Sequence, residues 1–377
     1  MELEFSEEQE ELQRGARALL TRECPMSFVR SVAEDGAPWD GLWLHMVELG
    51  WPALTVPEGA GGLGLGTVEL AVVVEELGRV MAPGPFLTTA AQFVPVVREL
   101  GTPEQQDRFL LPIATGSRTG TLALAEPSCS ALTPDAVGAT ATRDGDVYVL
   151  DGEKRPVIEA DRADDIVVVA RIAGTSGEDG VAAFVVPRDD LTLTPITSAD
   201  ATRRIAAVAL DGTHVAADRL LGEPGPPTVR GLRRAIEEAV TALATEMVGT
   251  CQTIFDVTLD YAKQREQFGV PIGSFQAIKH KFADMLILLE KARASAYFAA
   301  LTIAEDDERR ALAAASAKVA AGDCTQRMEK EGIQIHGGIG FTWEHDMHLY
   351  VRRITAGSLL LGTAAEHRER IAALLGL

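Results

Sequence analysis

The stretch YAKQREQFGVPIGSFQ, Tyr261 to Gln276, gathers three residue types that suit an anionic, ring-bearing ligand. Arg265 offers a planar, permanently charged fork whose N–H groups match phosphate oxygens. Phe268 offers an aromatic face, and Gln276 an amide that both donates and accepts. The first two precede a glycine and proline elbow and the third follows it, so all three stand at a corner between two helices. An ordinary surface ion pair of Arg265 with Asp260 or Glu266 competes with that assignment. A second stretch, QIHGGIGF, carries Gln334 into Gly337-Gly338, where backbone without side chains can approach a ligand closely. A glycine C-cap closing a helix accounts for the same pair in purely structural terms.

Other motifs carry less. GAGGLG, Gly59 to Gly64, has the spacing of a dinucleotide-binding loop, but TVPE before it contains a proline and helical sequence lies on both sides. An interhelical loop is expected there. His345 and His348 in HDMH stand about one helical turn apart without an acidic or cysteine partner, so no metal site is expected and the pair reads as solvated or hydrogen-bonded. Ser128 and Ser130 in EPSCSAL lack the glycine elbow of a serine hydrolase and read as loop residues.

The elements that position these residues come in three blocks. Ser6 with Gln9, and Thr102-Pro103 with Gln105, have capping-box spacing, and Leu12, Ala16, Leu19 and Leu20 share one helix face, so residues 1–118 read as a helical domain. Runs such as VYVL, DIVVVARI and VAAFVVP between Gly-rich turns make residues 119–223 a β domain, a barrel or sandwich of short strands. Pro-Gly-Pro-Pro at 224–227 reads as a linker, and helical periodicity from about Val229 makes residues 228–377 an antiparallel four-helix bundle. The fold class is therefore α+β and multidomain, without the βαβ alternation of a parallel nucleotide-binding sheet.

Bulk composition narrows the partners. A net charge of -20 repels nucleic acid and anionic bilayers, so an anionic cofactor must be met by local arginine or lysine. The four cysteines lie far apart with no CxxC, the start MELEFSEEQEELQRG is acidic, and no apolar run reaches a membrane-spanning length. A cytoplasmic protein without membrane insertion is expected.

YAKQREQFGVPIGSFQ resembles the Y-x-x-x-R-x-x-F-G-x-x-I-x-x-x-Q signature of the acyl-CoA dehydrogenase family, and QIHGGIGF its Q-x-x-G-G-x-G-[FY]. The order of helical, β and helical blocks agrees with that resemblance along the chain. It implies oxidation of the Cα–Cβ bond of an acyl-CoA thioester with FAD, by a protein that assembles as dimers or pairs of dimers. A working member needs a glutamate over the substrate α-carbon and a grip on the flavin ring. In the family the base precedes a Gly-Thr near the C-terminus, where this chain has Leu361 in SLLLGTAAEH, or stands ten residues before the glycine matching Gly249, where it has Ala239. No catalytic residue is therefore assigned. Glu238 is one residue away, but a step of about 100° along a helix turns it from a pocket that Ala239 faces. It reads as part of a solvated RRAIEEA face, and Glu366, past the Gly-Thr, is a further carboxylate of the same kind.

The flavin grip departs from the family pattern as well. AEPSCSA stands where the family has T-E-P-G-x-G-S, so Ala125 replaces the threonine; KRPVI puts Pro156 and Ile158 where an aromatic and a hydroxyl are usual; and Ala365 replaces a glutamine. By the same resemblance, Arg265, Phe268, Gln276, Gln334, Gly337 and Gly338 reach the pyrophosphate and adenosine of a neighbour's FAD. The implied protein is the non-catalytic subunit of an α2β2 acyl-CoA dehydrogenase. It would complete the FAD site of a homologous catalytic subunit that takes acyl-CoA, possible substrates including bulky steroid side-chain esters, and passes electrons to an electron-transferring flavoprotein. Two alternatives stand beside it: an active homomeric dehydrogenase with a displaced base such as Glu238, and a non-enzymatic acyl-CoA-binding or scaffold protein without FAD.

Overall fold

The computed structural model describes residues 5–127, 129–130 and 132–377, so Ser128 lies outside the described residues. The first block is helical: α1 (Glu7–Glu23), α2 (Met26–Asp35), α3 (Asp40–Glu48), α4 (Thr67–Arg79), a single turn α5 (Phe86–Thr88), α6 (Val94–Leu100) and α7 (Pro103–Ala114). Both capping boxes form: the Ser6 and Thr102 hydroxyls accept from Gln9 and Gln105 backbone N–H groups, and each glutamine side chain accepts in return. A π-helical turn, Thr89–Phe93, leads from α5 into α6. The Gly59–Gly64 segment is an interhelical loop folded on itself, and a Cβ at Gly62 would lie 2.0 Å from the Val56 carbonyl oxygen. Its glycines serve loop closure.

The middle block is one eight-stranded sheet formed by β1 (Gly120–Ala123), β2 (Thr140–Asp144), β3 (Val147–Ile158), β4 (Asp165–Ile172), β5 (Val181–Pro187), β6 (Thr192–Pro195), β7 (Ile205–Ala216) and β8 (Leu220–Leu221). The order is β6-β7-β3-β2-β4-β5-β8, with β1 added in parallel to β4 and no helical crossover between them. In β7 Ala206, Val208 and Leu210 alternate inward, whereas β4 and β5 are buried along nearly their whole length.

The last block is built on α8 (Pro226–Gln264), 39 residues long, with α9 (Gln276–Ala304), α10 (Arg310–His336), α11 (Met347–Leu359) and α12 (Ala364–Leu374) around it. The expected linker is shorter than 224–227, because Pro226 and Pro227 open α8. At the first helical positions the missing N–H has no intrahelical partner to lose. From Ala235 to Cys251 every residue of α8 is buried, which marks a central helix packed on all sides. Gly249 and Gly78 let α8 and α4 touch backbone to backbone: a Cβ on Gly249 would lie 2.0 Å from the Glu75 carbonyl oxygen, and one on Gly78 2.2 Å from that of Glu246.

Two large cores, with a smaller one around Ile158 and Met247, hold the blocks together. One joins the sheet to α6, α7 and the first turns of α8; the other joins the N-terminal helices to the bundle. Between the sheet and the bundle lies a buried ionic knot. Glu246 on α8 accepts from Arg203, just before β7, and from Arg353 on α11 at 2.5 Å, and Arg353 also donates to the Thr202 hydroxyl at 2.8 Å.

Candidate active site and nucleotide corner

Two places collect the residues singled out in the sequence. The first is a cavity of about 370 Å³ where the sheet meets α8 and the turn after α11. Ala125, Pro156, Ile158, Ala239 and Leu361 all line it. None of these side chains can donate or accept a proton, and Pro156 also removes a backbone donor.

The carboxylates nearby are engaged. Lys154, fully buried on β3, donates to Glu126 at 2.5 Å, and Glu126 also accepts from the backbone N–H groups of Gly138 and Ala139 at 2.8 and 2.9 Å. Burial pulls the Glu126 carboxyl upward, but the ammonium and the N–H donors outweigh it and leave it below its ordinary value. Burial lowers Lys154 to about 8 against the pull of Glu126. Glu366 accepts from the Thr363 N–H at 2.8 Å as the capping box of α12. Gln92, a buried amide on the π-helical turn, also lines the cavity, and its side chain has no hydrogen-bond partner among the described residues. Sequence reasoning passed over it, and its signal is a lone amide in the apolar run LTTAAQFV.

The turn that carries Leu361 is unusual for what it lacks. Leu361 has φ of 52°, a left-handed conformation that costs a branched side chain on the order of 1 kcal/mol or more. Its carbonyl accepts from His367 Nε2 at 2.9 Å, and the buried Lys318 ammonium donates to the Gly357 and Leu360 carbonyls at 2.6 and 2.8 Å. A strained, tethered turn thus presents a leucine to the cavity.

Glu238 faces elsewhere, as the helical step from Ala239 implies. It is not on a solvated face, however. It is buried and ion-paired with Arg98 on α6, with Arg310 on α10 at 3.9 Å, and Glu237 pairs with Arg310 at 2.7 Å. The two glutamates of RRAIEEA are covered because α6 and the start of α10 close over them with arginines, while Arg233 and Arg234 stay partly exposed, a tertiary fact that helical periodicity does not carry. Burial raises the Glu238 pKa, and the two arginines oppose it. Glu238→Gln is expected to lower stability by about 3 kcal/mol, the scale of a broken buried pair. Turnover per flavin in an active assembly should stay unchanged, as urea unfolding and steady-state rates on one preparation would show.

The second place is the bundle end. Arg265 is the C-cap of α8; β9 (Glu266–Gln267) and β10 (Val270–Pro271) form a two-residue hairpin with Phe268 at its tip; Gln276 begins α9. Phe268 is 93% exposed with φ of 56°, and it meets the edge of Phe275, the N-cap of α9, at 6.2 Å between ring centres. Gln334 lies in the last turn of α10 and Gly337 is its C-cap. Tyr261, one turn before Arg265, stacks on His336 with ring centres 4.5 Å apart, which brings the α8 and α10 ends together. All six singled-out residues are exposed at this end.

Both competing explanations can be weighed against this geometry. Asp260 pairs with Lys263 at 3.2 Å, and the Arg265 guanidinium has no ion pair or hydrogen bond among the described residues. Gly337, with φ of 65°, needs to be glycine as a C-cap, but a Cβ on Gly338 would meet nothing within 4 Å. His345 accepts from the Met347 N–H at 3.1 Å and His348 stacks on Trp343 at 4.5 Å; among the described residues no group of metal-binding side chains exists.

Comparison with known proteins decides the lineage. Residues 6–117 match the model of the acyl-CoA dehydrogenase N-terminal domain and residues 231–376 that of the C-terminal domain. Acyl-CoA dehydrogenase IpdE2 of Mycobacterium tuberculosis is 32% identical over 97% of this chain and 96% of its own length. This chain belongs to the acyl-CoA dehydrogenase family. Among solved structures, a chain of a variant of the Tcur3481-Tcur3483 steroid acyl-CoA dehydrogenase is 32% identical with a TM-score of 0.87 over 98% of each chain. Butyryl-CoA dehydrogenase from Megasphaera elsdenii, at 24% identity and a TM-score of 0.91 over the full length of both, shares the fold. The helical, β and helical order is thus the acyl-CoA dehydrogenase fold, and family members bind FAD. At the ring-side cavity Ala125, Pro156 and Ile158 carry no side-chain donor for a flavin's polar edge. The bundle end does fit a nucleotide tail, with a free guanidinium and open space over Gly338.

Proposed function

We propose that this chain is the non-catalytic subunit of a heteromeric acyl-CoA dehydrogenase and completes the FAD site of a homologous catalytic subunit. The observation that carries the reading is the cavity in which Leu361 and Ala239 stand together with no free carboxylate. Both places from which the family's base acts are apolar here, and the next carboxylate along α8, Glu238, is pinned to arginines on the far side.

FAD, bound in the partner's site, supplies the acceptor for the hydride leaving the acyl-CoA β-carbon. This chain's part is to hold the cofactor's tail: Arg265 as the pyrophosphate contact, Gln276 and Gln334 as amide contacts, Phe268 against a ring, and the Gly337-Gly338 backbone at close approach. Exposed apolar residues just after the Gly337-Gly338 turn support a protein partner on this face: Phe341 is 71% exposed and Trp343 55%. Two names among the relatives support a two-component assembly, the Tcur3481-Tcur3483 steroid enzyme and the ChsE4-ChsE5 complex of Mycobacterium tuberculosis, and the first supports a steroid substrate. The substrate class proposed is therefore a bulky acyl-CoA such as a steroid side-chain ester, with an α2β2 assembly in the cytoplasm. No helix among the described residues is long and apolar enough to cross a membrane. A solved structure 27% identical to this chain comes from work on the electron transferring flavoprotein of Acidaminococcus fermentans, which supports such a flavoprotein as the electron acceptor.

The test is reconstitution. Given FAD and acyl-CoA, the chain alone should show no bleaching of flavin absorbance. Co-purified with a related dehydrogenase that carries an intact base, it should yield a complex that bleaches, and replacing the partner's glutamate by glutamine should abolish all of that signal. Bleaching by the lone chain would favour a homomeric enzyme instead.

A further inference from the structure

The donated corner is assembled from two helix ends, and a single imidazole joins them. His336 is the last residue of α10, only 3% exposed, and its Nδ1 lies 2.8 Å from the Gly332 carbonyl oxygen. A carbonyl only accepts, so Nδ1 carries the proton and Nε2 presents a lone pair, which has no partner among the described residues. One face of the ring stacks on Tyr261 at 4.5 Å and 24°, and His345 meets it edge-on at 4.8 Å. Gly340 closes the space over the side chain, since a Cβ there would stand 3.1 Å from that of His336.

We infer that His336 is a positioning residue for nucleotide donation: its neutral ring, hydrogen-bonded to Gly332 and wedged between Tyr261 and His345, fixes the Arg265 end of α8 against the Gln334 and Gly338 end of α10. The inference rests on the reading that this corner serves a partner's FAD. Arg265 follows Tyr261 by one turn, its N–H donating to the Tyr261 carbonyl at 2.8 Å, so a shift of the stacked ring moves the guanidinium. Gln334 and Gly338 each lie two residues from His336. The ring is thus a direct side-chain connection between the two contact sets.

Its titration follows from the same surroundings. Burial holds the imidazole below its ordinary value, His345 acts in the same sense, and the Gly332 carbonyl opposes both. The titratable groups that face it are Tyr261 from α8 and His345 from the turn after α10; among the described residues no carboxylate acts on the ring to compensate a charge. A proton on Nε2 would be an unpaired cation in a closed space. The sign is fixed: the opened corner binds the proton more readily, so the closed corner is stable above the ordinary imidazole value of about 6.5. It loses stability as pH falls through that value toward the lower closed-state one.

The experiment uses the co-purified complex, with FAD affinity read by flavin fluorescence between pH 7.5 and 5.5. Wild type should weaken about fivefold across that interval where closure depresses the ring by about one pKa unit, and about tenfold at most for a larger depression. His336→Phe keeps a stacking ring that cannot titrate; it should bind FAD within about threefold of wild type at pH 7.5 and lose the pH dependence. An equal slope in both proteins, or tighter binding at lower pH, would overturn the inference. Imidazole NMR on the complex with and without FAD gives an independent readout. An Nδ1–H tautomer whose titration lies lower with FAD bound than without supports the inference, and an ordinary titration in both states sinks it. Failure of the underlying reading shows separately, as FAD binding indifferent to Arg265→Ala.

Discussion

Arg265→Ala should raise the Kd of the complex for FAD roughly 10- to 150-fold. A hydrogen bond between a guanidinium and a phosphate oxygen is worth about 1.5 to 3 kcal/mol, and every 1.4 kcal/mol is a factor of ten. The stability of the chain should move by less than about 0.5 kcal/mol, because among the described residues the guanidinium touches no partner whose loss would be felt. That separation makes the variant informative: a fold effect and a ligand effect cannot be confused. Arg265→Lys should fall between, since an ammonium keeps the charge but not the planar fork. Flavin fluorescence titration of the stripped complex measures both. Unchanged affinity in Arg265→Ala would mean that the corner does not carry the nucleotide.

The largest stability effect should come from Glu246→Ala, at about 3 to 5 kcal/mol. Glu246 is the common acceptor of Arg203 and Arg353, both buried, and its loss leaves two guanidinium groups in a space that excludes water. Burial, with Arg353 adding to it, already lowers Arg203 to about 9. Asp200, 3.6 Å from Arg353, cannot compensate both charges. Against a total stability of roughly 5 to 15 kcal/mol, the loss should be visible as a large fall in the urea midpoint. Because Arg203 belongs to the β block and Glu246 and Arg353 to the bundle, the loosening should appear first between them, as amide exchange in β7 and α11.

The helical starts were legible in the sequence because they depend on local chemistry: Ser6 with Gln9 and Thr102 with Gln105 satisfy N–H groups three residues away. Pro226 and Pro227 misled toward a linker for the same local reason, since proline marks both a break and a first turn, and only packing of α8 distinguishes them. The placement of Ala239 toward the cavity and Glu238 away from it follows from helical geometry alone. What covers Glu238 does not: Arg98 and Arg310 are 140 and 72 residues distant. Gln92 was hidden because a π-helical turn has no simple sequence period, and it is that turn which carries the amide beside the cavity. The stack of Tyr261 on His336 is equally invisible in the sequence, although the residues lie inside YAKQREQFGVPIGSFQ and QIHGGIGF.

The proposed role rests on an asymmetry between a bundle end that fits a nucleotide tail and a cavity whose base positions are Leu361 and Ala239 and whose ring-side positions Ala125, Pro156 and Ile158 carry no side-chain donor. The flavin-to-polypeptide ratio of the co-purified complex tests it most directly. One FAD for each pair of one such chain and one catalytic chain is expected, with the lone chain colourless. Two FAD per pair, or a lone chain that purifies yellow and is reduced by acyl-CoA, would contradict it.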